Sequence, residues 1–310
     1  MNRVLKAELY VTTYCEGACP FCFGQGDFGT GGIHVPIEQL LHRAGILRAF
    51  HRRNPLYAVP LLGGEPLSHP DLSILAEHFG EHLPFALVSA GLPDKGADIE
   101  VLIAHIQMWG VTYNRHLVDR FLVLVDRLLW AGKRVDTTMH FRDFESFRVV
   151  NLDFIERVLP RLPLAASWGA DFLRYVENWS PRTYYRSTFR PFESASRPSM
   201  TVHYSIIDER FTRSTPKRFE APLRPKDRSY TCHLFSDQKT ISIGEDGRVF
   251  PCTSNAQRHA APVIRDLDQY AHLPDDLALQ LDQRAEQLFE VTKERTCSVG
   301  CKDLRWNFDR

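Results

Sequence analysis

The stretch YCEGACPFCFGQGDFG, residues 14–29, contains three cysteines spaced C-x3-C-x2-C. Three thiolates within eight residues are suited to zinc or to an iron–sulfur cluster. A structural zinc site needs four protein ligands, and no fourth ligand stands near Cys15, Cys19 and Cys22 in the sequence, although a distant histidine would supply one. A four-iron cluster held by three thiolates keeps one iron open, and an open position is typical of catalytic metals. The spacing therefore favours an iron–sulfur cluster over zinc.

The same stretch continues as G-x-G-x-x-G at residues 24–29, which is the pattern of a dinucleotide-binding loop. Such a loop requires a strand, a glycine turn and a helix in immediate succession, with an acidic residue about twenty positions later. Here the cysteines precede the glycines, and Ile46, Leu47 and Arg48 occupy the position of the acid. We therefore interpret the glycines as residues that let the backbone wrap closely around the group bound by the cysteines.

The composition excludes several classes of protein. The 310 residues include 38 basic and 38 acidic side chains, so the formal net charge is zero and no global basic field favours nucleic acid or an anionic membrane. The amino-terminal residues lack the pattern of a secretory signal, and no stretch approaches the roughly twenty apolar residues that span a bilayer. We expect a soluble, cytoplasmic protein with neither a nucleic-acid nor a membrane partner.

Apolar segments alternate with amphipathic ones over the first 170 residues. Strands are predicted at residues 8–13, 57–62, 85–89, 102–109, 134–140 and 164–168. Helices are predicted at residues 36–52, 71–83, 116–130 and 147–158. Repeated strand–helix units predict an α/β fold with a parallel sheet whose functional residues follow the carboxyl ends of the strands. Six units are too few for an eight-fold barrel, so the pattern predicts a partial (β/α)6 TIM-like barrel.

Beyond residue 180 the pattern changes. Residues 181–228 contain 11 Lys and Arg against 5 Asp and Glu, and only a possible strand at 202–207 interrupts an irregular region. Residues 240–250 predict a β-hairpin with an Asp-Gly turn, and a helix is predicted at 274–292. The predicted divisions are a partial barrel at 1–180, a basic linker or substrate-covering segment at 181–229, and a small domain at 230–310.

Four further cysteines fall in this last division, at Cys232, Cys252, Cys297 and Cys301. An odd total of seven argues against a simple disulfide framework. The three-plus-four partition predicts two metal sites. Zinc remains an alternative for the second site, although zinc-binding cysteines usually come in close pairs and the first two here are twenty residues apart.

Two motifs resemble those of the radical S-adenosylmethionine (SAM) enzymes. CEGACPFC at 15–22 resembles the cysteine signature that follows the first strand in this family, and LLGGEPL at 61–67 resembles its Gly-Gly-Glu motif after the second strand. The resemblance covers the strand–helix region to about residue 175. The fourth strand of the family usually ends in a serine followed by an acid, and AHIQMWG at 104–110 departs from that pattern.

The resemblance implies that the first three cysteines hold a [4Fe–4S] cluster whose open iron chelates the amine and carboxylate of SAM. Phe21 would pack near the adenine, and Glu65 would receive the methionine amine together with Gly63 and Gly64. Ser89 would contact the ribose or carboxylate, and Arg142 would pair with the carboxylate. The cysteines near the hairpin resemble the small twitch-type auxiliary-cluster domain of the twitch/SPASM subgroup, which implies a second [4Fe–4S] cluster.

The implied reaction is reductive cleavage of SAM to a 5′-deoxyadenosyl radical, which removes a hydrogen atom from a substrate C–H bond. An external one-electron donor such as flavodoxin or ferredoxin is implied as a partner. If all seven cysteines bind iron, no thiol remains to return a hydrogen atom, so the count favours a net oxidation. No catalytic side chain is assigned.

The substrate is left open by the sequence. The short length resembles members that dehydrogenate aminocyclitols or sugars in natural-product biosynthesis, and we expect such an oxidoreductase. A redox-neutral epimerase with a spared thiol or a tyrosine as donor is one alternative, and a peptide-modifying enzyme is another. A non-enzymatic zinc scaffold is the alternative of a different class, but it leaves the Gly-Gly-Glu motif unexplained.

Overall fold

The computed structural model describes most of the first 180 residues and parts of the remainder. The described residues are 3–17, 19, 28–141, 143–164, 166–180, 188–189, 200–206, 230–231, 238–250, 262–281, 283 and 305–306. Among them, no helix combines the length and the apolar composition that crossing a bilayer requires.

Strands and helices alternate through the larger part of the described chain. The strands are β1 (Arg3–Thr12), β2 (Val59–Gly63), β3 (Phe85–Ser89), β4 (Met108–Tyr113), β5 (Val135–Phe141), β6 (Thr188–Phe189), β7 (Met200–Ile206), β8 (Tyr230–Thr231), β9 (Gln238–Ile243), β10 (Val249–Phe250) and β11 (Arg305–Trp306). The helices are α1 (Ile37–Arg53), α2 (Leu72–Phe79), α3 (Ile99–His105), α4 (Val118–Trp130), α5 (Phe144–Arg157) and α6 (Ala166–Glu177).

The described strands form one large sheet in the order β10-β9-β1-β2-β3-β4-β5-β7-β6, and a small sheet of β8 and β11. The pairs from β9 through β1 to β5 and on to β7 are all parallel, whereas β10 and β6 pair antiparallel at the two ends of the order. This is a mixed α/β fold with a mostly parallel sheet, and it agrees with the predicted partial TIM-like barrel.

Alternation along the strands separates a helix-covered face from a second face of the sheet. In β5 the side chains of Val135, Thr137, Met139 and Phe141 are buried, whereas the three residues between them are partly exposed. Of these, Val135, Met139 and Phe141 pack in the same core as the apolar face of α4. The partly exposed set includes His140, which lines a cavity. His140 therefore lies on the sheet face opposite to that of Met139 and Phe141.

Two predicted strands are wrong. Residues 102–105, predicted as the start of the fourth strand, belong to α3. Asp98 precedes this helix and caps it, because its side chain accepts hydrogen bonds from the backbone N–H groups of Glu100 and Val101. The fourth strand therefore starts at Met108 and ends at Tyr113, so its carboxyl end lies beyond residues 104–110, where the family pattern was expected.

The strand predicted at residues 164–168 is also absent, because residues 166–177 form α6 and bury Trp168 and Phe172 on one side. The sixth parallel strand next to β5 is β7, which overlaps the possible strand at 202–207. A short apolar run with aromatic residues suits a buried helix as well as a strand. Only hydrogen-bonded pairing with β5 shows which segment is the sixth parallel strand.

The predicted hairpin at 240–250 is confirmed by the antiparallel pairing of β9 and β10, with Gly247 at φ +78° in the turn. β9 also pairs parallel with β1, so the hairpin extends the large sheet. The buried Arg43 of α1 anchors it: its guanidinium donates to Asp268 at 2.7 Å and to the carbonyl oxygens of Gly244 and Glu245. The predicted domain boundaries stay predictions.

Candidate functional site

A cavity of about 180 Å³ lies where the parallel strands end. Its walls come from the loop after β1 and from residues at or after the carboxyl ends of β2, β3, β4 and β5. The residues that line it are Tyr10, Cys15, Glu16, Gly17, Cys19, Phe28, Leu62, Gly63, Gly64, Glu65, Ser68, Val88, Ser89, Ala90, Gly91, Thr112, Leu117, Arg120 and His140. This is the edge at which parallel α/β folds place their ligands.

Six of the site residues predicted from the sequence meet in this cavity, namely Cys15, Cys19, Gly63, Gly64, Glu65 and Ser89. The other predicted site residues lie outside the described part of the chain, namely Phe21, Cys22, Arg142, Cys232, Cys252, Cys297 and Cys301. Their assigned roles stay predictions. Within the described residues, no group of three or more His, Cys, Asp or Glu side chains is arranged to hold a metal ion.

The two described cysteines of the loop direct their sulfur atoms to one small volume. A β-carbon built on Gly17 would lie 3.5 Å from the Sγ atoms of both Cys15 and Cys19. The Gly17 N–H points at Cys15 Sγ across 3.3 Å, and the Asn114 side chain points at Cys19 Sγ across 3.2 Å. Hydrogen bonds from N–H groups to sulfur are typical of cysteines that ligate iron–sulfur clusters. The donor set therefore fits such a cluster, to which Cys22 would contribute the third thiolate.

The glycines after β2 fit closely against the backbone of the cysteine loop. Gly63 has φ +141°, and a β-carbon there would lie 1.9 Å from the carbonyl oxygen of Thr12. A β-carbon on Gly64 would lie 2.2 Å from the carbonyl oxygen of Tyr14 and 2.9 Å from Cys15 Cβ. Backbone hydrogen bonds from Gly64 to Thr12 and from Glu65 to Tyr14 join the two segments. The Gly-Gly pair therefore allows the Glu65 loop and the cysteine loop to pack side by side.

Glu65 carries a buried carboxylate at the wall of the cavity, since the residue is only 8% exposed. Its Oε1 accepts a hydrogen bond from Leu67 N at 3.1 Å, and its Oε2 accepts one from Ala90 N at 2.9 Å. Burial raises the pKa of Glu65 to about 7, although these hydrogen bonds, one with Ser89 and the charge of Arg120 act in the opposite direction. A buried carboxylate of this kind gains most from a cationic ligand, because the ligand offsets the cost of its desolvation.

Ser89 is buried at the end of β3, and its hydroxyl forms part of a turn. The Oγ atom donates to the carbonyl oxygen of Gly91 at 3.1 Å and accepts from Gly91 N at 3.0 Å. Gly91 has φ +138° and its α-carbon packs against the backbone of α4 near Arg120. Ser89 therefore shapes the wall of the cavity, and its direct contact with a ligand stays a prediction.

Arg120 of α4 forms ion pairs at the rim. Its guanidinium lies 3.2 Å from Glu16 in the cysteine loop and 2.8 Å from Asp94 in the segment after β3. These pairs are largely exposed, so each is expected to contribute less than about 1 kcal/mol to stability. Arg120 connects the cysteine loop to the segment after β3, and its positive charge is offset by these two carboxylates.

Sequence reasoning missed Asn114, Thr112 and His140, all of which depend on the positions of β4 and β5. Thr112 and His140 line the cavity, and Asn114 contacts Cys19 from the end of β4. The signal for Asn114 was a polar residue directly after a parallel strand. That signal was lost because the strand was predicted several residues too early.

No protein-family model matches the chain, and no curated protein sequence matches it. A solved structure of Streptococcus suis SuiB bound to S-adenosylmethionine is similar with a TM-score of 0.54 and 14% sequence identity, over 91% of this chain and 68% of SuiB. The structure of SuiB bound to precursor peptide SuiA gives the same TM-score and identity, over 91% of this chain and 67% of SuiB. The chain therefore shares its fold with SuiB over most of its length.

Proposed function

We propose that the chain is a radical SAM enzyme. The observation that carries this proposal is the meeting of Cys15, Cys19 and the buried Glu65 carboxylate at one cavity at the ends of the parallel strands. A purely structural metal site needs thiolates but has no use for a desolvated carboxylate in the loop packed beside them. The C-x3-C-x2-C and Gly-Gly-Glu motifs support the same assignment, and so does a fold shared with a protein that binds S-adenosylmethionine.

In this proposal Cys15, Cys19 and Cys22 would hold a [4Fe–4S] cluster, and the adjoining cavity would bind SAM. When bound, this pair would supply the chemistry of one-electron cleavage of SAM and of hydrogen-atom removal from a substrate C–H bond. Glu65 would accept a hydrogen bond from the amine of SAM, whose N–H groups become more positive when the amine binds iron. The buried carboxylate already accepts hydrogen bonds from the backbone N–H groups of Leu67 and Ala90, which hold it in place. Gly63 and Gly64 hold Glu65 at a fixed distance from the cysteine loop.

The walls of the cavity contribute in a different way. Leu62, Val88, Phe28 and Leu117 are apolar and line the same space as the cysteines. Apolar walls limit the access of water, which protects a reactive radical from side reactions. Following the family resemblance, Ser89 and Arg142 contact the ribose or carboxylate of SAM, and Phe21 packs near the adenine.

For the substrate we favour a ribosomally made peptide. SuiB, whose fold the chain shares, binds the precursor peptide SuiA, and this supports a peptide substrate over the small molecule expected from chain length. Dehydrogenation of an aminocyclitol or sugar is the second candidate. The seven cysteines, which leave no spare thiol if two clusters form, favour a net oxidation of either substrate. A second [4Fe–4S] cluster held by Cys232, Cys252, Cys297 and Cys301 belongs to this proposal.

The decisive experiment measures cleavage of SAM. Protein purified and reconstituted without oxygen is reduced with dithionite and incubated with SAM, and 5′-deoxyadenosine and methionine are quantified by mass spectrometry. We expect release of both products by the native chain and loss of at least a hundredfold in Cys19→Ala. Glu77→Gln, which changes an exposed acid on α2, is the control and keeps full activity. A native protein that binds iron and sulfide but releases no 5′-deoxyadenosine contradicts the proposal.

A second experiment separates the substrates. Candidate precursor peptides and aminocyclitols, deuterated at their C–H positions, are tested for transfer of deuterium into 5′-deoxyadenosine. Transfer from a peptide alone supports the favoured substrate, and transfer from an aminocyclitol alone supports the second candidate. With the unlabelled substrate in D2O, a product lighter by two mass units indicates oxidation, whereas uptake of one solvent deuterium without further change indicates epimerisation.

A further inference from the structure

We propose that Asn114 is a positioning residue that raises the reduction potential of the amino-terminal cluster by donating a hydrogen bond to the Cys19 sulfur. The inference rests on the proposed function, since it requires Cys19 to ligate a cluster. It concerns the side-chain amide of Asn114, whose Nδ2 lies 3.2 Å from Cys19 Sγ although the two residues are 95 positions apart in sequence.

The orientation of the amide is fixed by the short helical turn that follows β4. Asn114 Oδ1 accepts a hydrogen bond from His116 N at 3.1 Å, and the main-chain oxygen of Asn114 accepts one from Leu117 N at 2.8 Å. Because the side-chain oxygen is used by this turn, the nitrogen end of the amide is directed to the sulfur. The residue is only 6% exposed, so water does not compete freely for the amide.

The charge on a cluster-bound sulfur gives this contact its effect. A thiolate ligand shares the negative charge of the cluster, and reduction adds one more negative charge. A hydrogen bond from an N–H group stabilises the reduced state more than the oxidised one, and such bonds are among the factors that set iron–sulfur potentials. Removal of the donor therefore lowers the potential and makes the cluster harder to reduce.

The two described cysteines differ in the source of their donors. Cys15 Sγ receives its hydrogen bond from the backbone N–H of Gly17, which no side-chain substitution removes. Cys19 Sγ receives one from the side chain of Asn114. Substitution of Asn114 therefore removes a hydrogen bond to Cys19 and leaves the hydrogen bond from Gly17 to Cys15 intact.

Two substitutions separate this role from the capping of the turn. Asn114→Ser retains a side-chain oxygen able to cap the turn but is too short to reach Cys19, so the donor is lost without a change of charge. Asn114→Asp also retains the cap and has nearly the same size, but it puts a carboxylate oxygen against the sulfur. We expect the potential to fall in the order native, Asn114→Ser, Asn114→Asp.

The potential is measured on the complete, anaerobically prepared protein by redox titration followed by electron paramagnetic resonance at low temperature. The signal that changes when SAM is added identifies the amino-terminal cluster and separates it from a second one. For Asn114→Ser we expect the ratio of reduced to oxidised cluster at a fixed potential to fall about fivefold, which is about 40 mV for one electron. Asn114→Asp should shift it further.

Asp98→Asn is the matched control, because Asp98 caps α3 in a similar way and makes its described hydrogen bonds with Glu100 and Val101. Its potential should equal the native one. If all variants contain iron and respond to SAM but share the native potential, Asn114 acts only as a cap and the inference is overturned. If the native protein itself shows no signal that responds to SAM, the proposed function fails first, and the inference fails with it.

Discussion

Glu65 should make the stability of the protein depend on pH in a way that exposes its role. The group has its pKa raised by burial to about 7, from an ordinary value of 4.5. A carboxyl group whose pKa is raised in the folded state stabilises the fold while it is protonated, and this contribution is lost as the pH rises from about 4.5 through 7. The perturbation is the variant Glu65→Gln, which stays neutral at every pH.

The magnitude follows from the difference between the two pKa values. Between pH 5 and pH 8 the unfolding free energy of the native chain should fall by about 2.5 kcal/mol relative to that of Glu65→Gln. The variant also carries an offset that does not depend on pH, because its NH2 group faces a backbone N–H of Leu67 or Ala90 where an oxygen accepted before. That offset is on the order of 1–3 kcal/mol. The slope with pH, and not the offset, is therefore diagnostic.

The assay is thermal unfolding of both proteins under anaerobic conditions without SAM, at half-unit steps from pH 5 to pH 8. At about 2 °C per kcal/mol, the difference between the two melting temperatures should change by about 5 °C over this range. Glu77→Gln, at an exposed position of α2, should parallel the native chain at every pH. If the difference between native and Glu65→Gln stays constant within 1 °C, Glu65 is not a desolvated carboxylate and the reasoning is refuted.

Binding of SAM should show the reverse dependence. In the proposed function the ionised form of Glu65 accepts from the amine, and the ionised fraction of Glu65 rises about tenfold between pH 6 and pH 8 for a pKa of about 7. The affinity of the native protein should rise by about that factor, measured by equilibrium dialysis with labelled SAM. The affinity of Glu65→Gln should be low and should not rise in this way between pH 6 and pH 8, because the variant has no carboxyl group to ionise at this position.

The remaining predictions concern packing and metal content. Gly63→Ala should destabilise the protein by about 3 kcal/mol or prevent folding, because its β-carbon would meet a carbonyl oxygen at 1.9 Å. Gly45→Ala in α1 meets nothing within 4 Å and should stabilise the protein by about 0.5–1 kcal/mol. Denaturant unfolding measures both changes. Asp268→Ala leaves the buried Arg43 charge without its carboxylate and should lower the unfolding free energy by about 3 kcal/mol, with faster amide exchange in the hairpin. Arg127→Met, at an exposed ion pair, should lower it by less than about 1 kcal/mol. Anaerobically reconstituted protein should contain about eight irons and as much sulfide, and a value near four would remove the second cluster from the proposal.

Much of the site could be predicted from local sequence because its chemistry is encoded at short range. Cysteines at fixed spacing after a strand, and glycines next to an acid after the following strand, are patterns of a few residues each. Parallel strands carry such loops to a common edge, so the meeting of Cys15, Cys19 and Glu65 followed from the strand–helix alternation alone.

The errors arose where local pattern was ambiguous. Residues 102–109 and 164–168 are short apolar runs that suit a strand or a buried helix equally, and only pairing with neighbouring strands decided between them. The misplaced end of β4 concealed Asn114. Its contact with Cys19 depends on where β4 ends relative to the cysteine loop, which no short window of sequence contains.

The sequence by itself determined the kinds of group at the site, namely thiolates and a carboxylate, and the type of fold that gathers them. Tertiary structure alone decided the burial of Glu65, the donor to Cys19 and the contact of Arg43 with Asp268, which lies 225 residues away. The physical reason is that residue identity and periodicity are local properties. Desolvation and hydrogen bonding between distant segments exist only after the strands have paired.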